Sequence, residues 1–211
     1  MIRGRLVIDS DVFILLAGSD LLMPALSLLG IQPADAQRLP ALEYQLQRSS
    51  RWARVYPEGV RRMALAACRR IPPLTERPTS DAALQQLIAV EAIDEGEALV
   101  FALMIEQHGL YLASGDKRAM RALATAPHLR QVRDGIAGRV LCLESLLRLL
   151  VERQGLEAIA DALPPVRDQY QTLRVAFSAG VATTKMSFDA AITGYLTDLI
   201  RDTGPGFLYL P

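Results

Sequence analysis

Two aspartates in this sequence follow short apolar runs, at the points where helical patterns begin. Asp9 ends the run 6–8, and Asp116 comes shortly after the run 110–113. A short apolar run that leads into a helical pattern is typical of a strand buried in a parallel sheet. Because α/β folds bind ligands at the carboxyl ends of such strands, we expect both carboxylates at one edge of the sheet. Each could instead cap the helix that follows it.

A second acidic group precedes a long apolar helical pattern. Four of the seven residues 91–97 are acids. The positive end of a helix dipole favours acids in the first turn by about 0.3 to 1 kcal/mol each, which explains some of them but does not require four. Asp94 and Glu97 are three residues apart and would share a helix face, while Gly96 lets the backbone approach a neighbour closely. We therefore expect Asp94 and Glu97 at the same site.

Carboxylates gathered in a half-buried cleft repel one another, so they either take up protons or bind a cation. The donors are all oxygen atoms, since His108 and His128 lie apart from the acids in the sequence. Oxygen ligands select hard ions, which favours Mg²⁺ or Mn²⁺ over zinc. The expected metal ligands are Asp9, Asp94, Glu97 and Asp116. The same repulsion predicts that Asp116→Asn stabilises the metal-free protein.

Composition indicates a neutral globular protein. The chain has 211 residues, 51% of them apolar, and Lys plus Arg and Asp plus Glu both number 23. A net charge of zero gives no global reason to expect nucleic-acid or membrane binding, so any basic surface must be local. The two cysteines lack metal-ligand spacing, which predicts buried thiols in a reducing compartment. Without a signal peptide or an apolar run of membrane-spanning length, we expect a cytoplasmic protein with no membrane contact.

Strand, acid and helix recur along residues 1–150. The runs 6–8, 110–113 and 139–143 predict three strands separated by helices, hence a parallel sheet covered on both faces. The expected fold class is α/β, as a three-layer α/β/α domain with a central parallel sheet. Residues 33–39 are expected to be a polar linker, and residues 40–70 a long helical stretch with a break near Pro57. Residues 151–211 predict a mostly helical C-terminal extension, which could pack on the same domain.

Residues 37–70 form a basic region in this neutral chain. Eight arginines against two acids, Glu43 and Glu58, leave a net charge of +6. The region is either an ordinary solvated helix face or a surface that binds phosphate backbones without reading sequence. Trp52 and Tyr56 lie among the arginines and could stack on bases, although core packing is the more ordinary role for both.

Four segments of the sequence form a recognisable set: the strand ending in Asp9, a helix that contains Glu43, the segment Asp-Glu-Gly-Glu-Ala at 94–98, and Leu-Ala-Ser-Gly-Asp-Lys at 112–117. Together they resemble the PIN-domain family, whose members are single-strand nucleases and include the toxin ribonucleases of type II toxin-antitoxin pairs. The last two segments form the most specific combination. The resemblance covers about residues 5–150 and leaves out the arginine-rich insertion, 49–79, and the extension.

The resemblance implies a metal-dependent nuclease, in particular an endoribonuclease that hydrolyses phosphodiester bonds with a water activated by Mg²⁺ or Mn²⁺. It assigns the catalytic acids to Asp9, Glu43, Glu97 and Asp116. Candidates for substrate contact are Ser114, Lys117, Arg118, Arg48 and Arg51. The implied partner is single-stranded nucleic acid, RNA before DNA. The resemblance is also compatible with an antitoxin-like protein partner and with a homodimer.

Two other functions fit parts of the sequence. Asp9-Ser10-Asp11-Val12 after a strand also resembles the Asp-x-Asp-x-Val loop of haloacid-dehalogenase-like phosphohydrolases, in which the first Asp is phosphorylated and the second shuttles a proton. That family usually has a second acid four or five residues after its later Asp, where this chain has Met120 and Arg121. The third alternative is a PIN-like fold that binds nucleic acid or protein without catalysis.

Overall fold

The computed structural model describes residues 1–211 as a mixed α/β fold around one parallel sheet. Its strands are β1 (Arg5–Ile8), β2 (Ala36–Arg38), β3 (Leu110–Ser114) and β4 (Val140–Cys142). They lie in the order β2-β1-β3-β4, and all neighbours are parallel. In register, Leu6 of β1 pairs with Ala36 on one side and Tyr111 on the other. The expected α/β class with a parallel sheet is confirmed.

The sheet has one strand more than the sequence patterns predict. β2 lies within residues 33–39, expected to be a polar linker because Gln37 and Arg38 give neither an apolar run nor an alternation. The strand is nevertheless buried. Arg38 is paired with Glu43 at 2.6 Å, and Gln37 donates to Glu76 at 3.3 Å. These partners offset part of the cost of burying a polar strand, while Gln37 Oε1 and Arg38 Nε are buried without a hydrogen-bond partner.

Thirteen α-helices accompany the strands. They are α1 (Ser10–Gly18), α2 (Leu22–Leu29), α3 (Leu42–Arg48), α4 (Ser50–Val55), α5 (Glu58–Cys68), α6 (Asp81–Ile88), α7 (Glu95–Glu106), α8 (Lys117–Thr125), α9 (Arg130–Ile136), α10 (Leu143–Gln154), α11 (Leu156–Ala162), α12 (Gln171–Ala176) and α13 (Lys185–Thr203). The stretch 40–70 is three helices, because Ser49 caps α4 and Pro57 precedes α5. No single helix has the length and hydropathy to cross a membrane. α1 and α2 meet both criteria only when they are counted as one segment, and the chain bends by 114° between them.

One hydrophobic core runs through the whole chain. Its 65 buried residues extend from Ile2 to Leu208 and include both cysteines, as expected. α13 packs against α8, α10 and α12, so the C-terminal helices share this core with the part that carries the sheet. The last residues return to the sheet, where Tyr209 donates its N–H to the carbonyl of Val140 in β4.

The strand order creates a crevice between β1 and β3. From β1 the chain moves to β2 on one side, then crosses back over β1 to β3 and β4 on the other. Adjacent parallel strands whose connections leave in opposite directions mark the point where α/β folds bind ligands, at the carboxyl ends. Asp9 comes directly after β1, and Asp116 lies just beyond the end of β3. The topology therefore places both aspartates at this crevice.

Candidate functional site

A cavity of about 670 Å³ opens at the carboxyl ends of β1 and β3. The acids that line it are Asp9, Asp11, Asp94, Glu95, Glu97 and Asp116. Three arginines, Arg51, Arg77 and Arg118, line the same cavity. The structure thus places the four expected metal ligands around one cavity, with positive charge around the same opening.

Asp9 is the N-cap of α1, and neighbours hold its carboxylate in place. Its Oδ1 accepts the N–H of Ser10 at 2.6 Å, and its Oδ2 accepts a hydrogen bond from Ser114 Oγ at 3.4 Å. The Asp9 N–H donates to Ala113 of β3 at 2.9 Å. Ser114 Oγ also accepts the N–H of Asp116 at 3.0 Å. This buried hydroxyl therefore connects the two aspartates across the crevice.

Burial makes ionisation of two acids in the cavity unfavourable. It is the largest cause of the raised pKa of Asp9, which moves from 3.8 to about 7, and the carboxylates of Asp11, Asp94 and Asp116 contribute. Burial also dominates at Glu97, whose pKa moves from 4.5 to about 8 with contributions from Asp116, Asp94 and Asp9. A cation in the cavity would offset this unfavourable charge.

Asp94 and Glu97 form a capping box at the start of α7. Asp94 Oδ1 accepts the N–H of Glu97 at 2.8 Å, and Glu97 Oε2 accepts the N–H of Asp94 at 3.0 Å. A Cβ at Gly96 would crowd its neighbours, because it would lie 3.1 Å from Leu39 Cδ1 and 3.2 Å from Asp94 Oδ1. The reciprocal bonds fix the orientation of both carboxyl groups at the cavity wall.

Asp116 is the N-cap of α8 and differs electrostatically from Asp9. Its Oδ1 accepts the N–H groups of Arg118 at 2.7 Å and Ala119 at 3.2 Å, and its Oδ2 pairs with the Arg118 guanidinium at 2.9 Å. Burial raises the pKa of Asp116, but these hydrogen bonds outweigh burial and bring it below its ordinary value. Because the folded chain favours the ionised form of Asp116, the expectation that Asp116→Asn stabilises the metal-free protein is wrong for this residue. The acids whose charge is unfavourable in the fold are Asp9 and Glu97.

Four of the expected site residues are not among those that line the cavity: Glu43, Arg48, Ser114 and Lys117. Ser114 is buried. Glu43 in α3 pairs with Arg38 and keeps 45% of its side chain exposed. Arg48, at the end of α3, is exposed to solvent. Lys117 forms an ion pair with buried Glu144 of α10 at 2.5 Å. Of the four catalytic acids that the resemblance implies, Glu43 is the one that lies apart.

Two tyrosines reach the first turn of α1 from the segments outside the family resemblance. Tyr56 donates to Asp11 Oδ1 at 2.9 Å, and Tyr170 donates to the Asp11 carbonyl at 2.6 Å. Burial, more than neighbouring charge, raises the pKa of each hydroxyl, so both remain protonated donors. Sequence spacing gives no signal for these contacts, nor for Arg77, which reaches the cavity from a proline-rich connection.

Comparison with known proteins identifies no family. No protein-family model, no curated protein and no solved structure matches this chain. The likeness to the PIN-domain family therefore rests on the motif residues.

The cavity fits a hard divalent cation in donor type, without forming a closed coordination shell. Every acidic side chain that lines it offers oxygen, the donor that Mg²⁺ and Mn²⁺ prefer. No three Asp, Glu, His or Cys side chains lie close enough to hold a metal ion as they stand. Capping hydrogen bonds already occupy oxygens of Asp9, Glu97 and Asp116. What favours a cation is the unfavourable burial of carboxylate charge at Asp9 and Glu97, which a cation would offset.

In a chelator, the protein is expected to lose stability as pH rises from about 5 to about 8. The ordinary pKa values of Asp9 and Glu97 are 3.8 and 4.5, against about 7 and about 8 in the folded chain. Between these limits the folded state keeps protons that the unfolded state has released, so the free energy of unfolding falls with pH. At about 1.4 kcal/mol per pKa unit, the full difference for Asp9 amounts to roughly 4 kcal/mol.

Thermal unfolding across this pH range tests the expectation. Acids with lowered pKa values, such as Asp116 and Glu76, finish titrating below it and do not mask the effect. Mn²⁺ should raise the melting temperature most at the upper end of the range, where the cavity is most negative. A melting temperature that stays level from about pH 5 to about pH 8 would contradict an acid cluster whose charge is unfavourable in the folded state.

Proposed function

We propose that this chain is a metal-dependent nuclease that cleaves single-stranded nucleic acid, RNA before DNA. One observation carries the proposal: Asp9, Glu97 and Asp116 line one cavity at the carboxyl ends of adjacent parallel strands. The arginines on the same cavity wall suit a polyanionic substrate. The choice of RNA rests on the resemblance of the motif residues to toxin ribonucleases.

We also propose the three-layer α/β/α arrangement of the PIN-domain family for the part that carries the sheet. The connection from β1 to β2 runs across the sheet in the opposite direction to the later connections. Crossovers between parallel strands are almost always right-handed, so connections in opposite directions carry their helices to opposite faces. On this basis α1 and α2 cover one face, and α7, α8 and α9 the other.

In the proposed reaction, the residues of the chain hold charge and orient the substrate. The groups that would hold Mg²⁺ or Mn²⁺ are Asp9, Asp94, Glu97 and Asp116. When bound, such a cation supplies Lewis acidity toward the phosphodiester and lowers the pKa of water. Ser114 keeps Asp9 and Asp116 in a fixed relation across the crevice. Arg118, exposed beside Asp116, would bind a phosphate next to the reacting one.

Two alternatives each have an observation in their favour. Asp11 lines the same cavity as Asp9, which suits a phosphohydrolase with an Asp9 nucleophile. Its carboxylate, however, accepts the Tyr56 hydroxyl, which restrains it from shuttling protons. Glu43 pairs with Arg38 outside the cavity lining, which favours a module that binds without catalysis.

A cleavage assay separates the three functions. Labelled single-stranded RNA and DNA are incubated with Mn²⁺, Mg²⁺ or chelator, and hydrolysis of a small phosphate monoester is followed in parallel. We expect strand cleavage only with a divalent cation, with most activity kept in Asp11→Asn. Phosphate release from the monoester that disappears in Asp11→Asn would establish the phosphohydrolase instead. Binding of the strands without either reaction would favour the third alternative, a module that binds without catalysis.

A further inference from the structure

We infer that Trp52 is a stacking surface for a nucleobase and that it makes the site selective for single strands. The inference rests on the proposed function of the cavity. It extends that function to the arginine-rich insertion, which the family resemblance does not cover.

Trp52 contacts the hydrophobic core and also lines the cavity that contains the acids. It lies on α4, a helix of six residues with no fully buried side chain. Core packing therefore accounts for only part of the indole. An aromatic ring that borders a polar opening offers the π-face on which an unpaired base stacks.

A series of contacts fixes the indole relative to the acids. The rings of Tyr56 and Trp52 pack in a T-shaped arrangement, with centroids 5.8 Å apart and planes at 77°. The Tyr56 hydroxyl donates to Asp11 at 2.9 Å and lies 3.3 Å from the Tyr170 hydroxyl. Asp11 is two positions from Asp9, so these contacts connect the indole of Trp52 to the acidic residues of the cavity. A surface that is already ordered loses less entropy when a ligand binds.

Arginines on the cavity wall supply the charge that a nucleic-acid backbone requires. Arg51 precedes Trp52 on α4, and Arg77 comes from the connection between α5 and α6. Both are exposed and line the cavity with Trp52. Cations next to an aromatic ring are the usual means of binding single strands, because phosphates and bases are held together.

Strand selectivity follows from geometry. Within a duplex each base is stacked between its neighbours and paired, so its face is not available to an indole. A single strand can turn a base out at little cost, whereas the arginines attract both forms. Trp52 therefore distinguishes single strands from duplexes, while Arg51 and Arg77 do not.

The fluorescence of Trp52 tests the inference directly, because it is the only tryptophan in the chain. The wild-type protein is titrated in chelator, which prevents cleavage, with single-stranded RNA, single-stranded DNA, an abasic strand of equal length and a duplex. Anisotropy of a label on each strand reports binding. We expect both single strands to quench Trp52, and the abasic strand and the duplex to bind without quenching. The RNA and DNA arms show which strand binds more tightly.

Two substitutions measure the contribution of the ring. Trp52→Ala should weaken binding of a normal single strand by between about fivefold and about 150-fold, equivalent to about 1 to 3 kcal/mol for one stacked base. Trp52→Phe should lie between Trp52→Ala and wild type, and abasic-strand affinity should not change in either. Tyr44→Ala is the matched control, because Tyr44 is a 71% exposed aromatic on α3 that does not line the cavity.

Three results would overturn the inference: no strand binding by the wild type, single-strand binding without quenching, or an equal loss of normal and abasic affinity in Trp52→Ala. Quenching without cleavage in Mn²⁺ would support the inference and refute the proposed catalysis. Cleavage without quenching would support the proposed catalysis and refute the inference about Trp52.

Discussion

Asp9→Asn is expected to abolish cation-dependent cleavage and to stabilise the metal-free protein above neutral pH. Asn caps a helix about as well as Asp, so the bond to the Ser10 N–H is preserved. The substitution removes a carboxyl group whose pKa burial raises to about 7, so the folded state no longer has to accommodate that charge. An amide oxygen binds a hard cation poorly, so we expect cleavage to fall more than about 100-fold, beyond the loss typical of an indirect metal partner.

The measurements are single-strand cleavage in Mn²⁺ and thermal unfolding in chelator at several pH values. Asp35→Asn serves as the control, because Asp35 is exposed and does not line the cavity. The control should match wild type in both measurements. Cleavage by Asp9→Asn at the wild-type rate would reduce Asp9 to a helix cap. An unchanged unfolding profile would show that its charge does not strain the metal-free fold.

Lys117 follows the proposed metal ligand Asp116 in the sequence, but its expected role is in stability. We expect Lys117→Met to destabilise the protein by about 3 to 5 kcal/mol. Its ammonium group pairs with Glu144 at 2.5 Å and donates to Thr172 at 3.0 Å. Glu144 keeps only 1% of its side chain exposed, and its Oε2 has no hydrogen-bond partner. Without Lys117, a buried carboxylate would lack its only compensating charge.

A double-mutant cycle identifies the source of this loss. Replacing both partners, as Lys117→Met with Glu144→Leu, should recover most of the stability, because apolar groups of similar size often replace a buried pair without loss. Arg118→Met is the matched control, since the neighbouring Arg118 pairs with Asp116 while 77% exposed and should contribute less than about 1 kcal/mol. Urea unfolding gives the four free energies. A double variant no more stable than Lys117→Met would locate the loss in packing rather than charge.

The strands differ in how far local sequence could predict them. β1, β3 and β4 are predictable because burial on both faces requires an apolar run that any short window shows. β2 could not be predicted in this way, because buried Arg38 depends on its ion pair with Glu43. No local sequence pattern indicates that Glu43 is its partner. The placement of Asp9 and Asp116 at one edge then follows from connectivity, since strands joined through helices run parallel.

The candidate site divides in the same way. The capping box of Asp94 and Glu97 is a local motif, and its residues could be identified from spacing. The ionisation of Asp116 depends on how the adjacent Arg118 side chain folds back, which spacing does not determine. The contact between Tyr170 and Asp11 joins residues 159 positions apart and depends on the whole fold.

Both margins of the sheet are closed by segments that are not strands. Leu208 forms a bridge to Val140 on the outer side of β4, and Pro73 forms one to Arg38 on the outer side of β2. Unpaired strand margins are the templates on which other chains add a strand. A chain that adds a strand to this sheet would first have to displace one of these segments. Proteolytic removal of the last residues would uncover β4 and turn a protected margin into a starting point for aggregation.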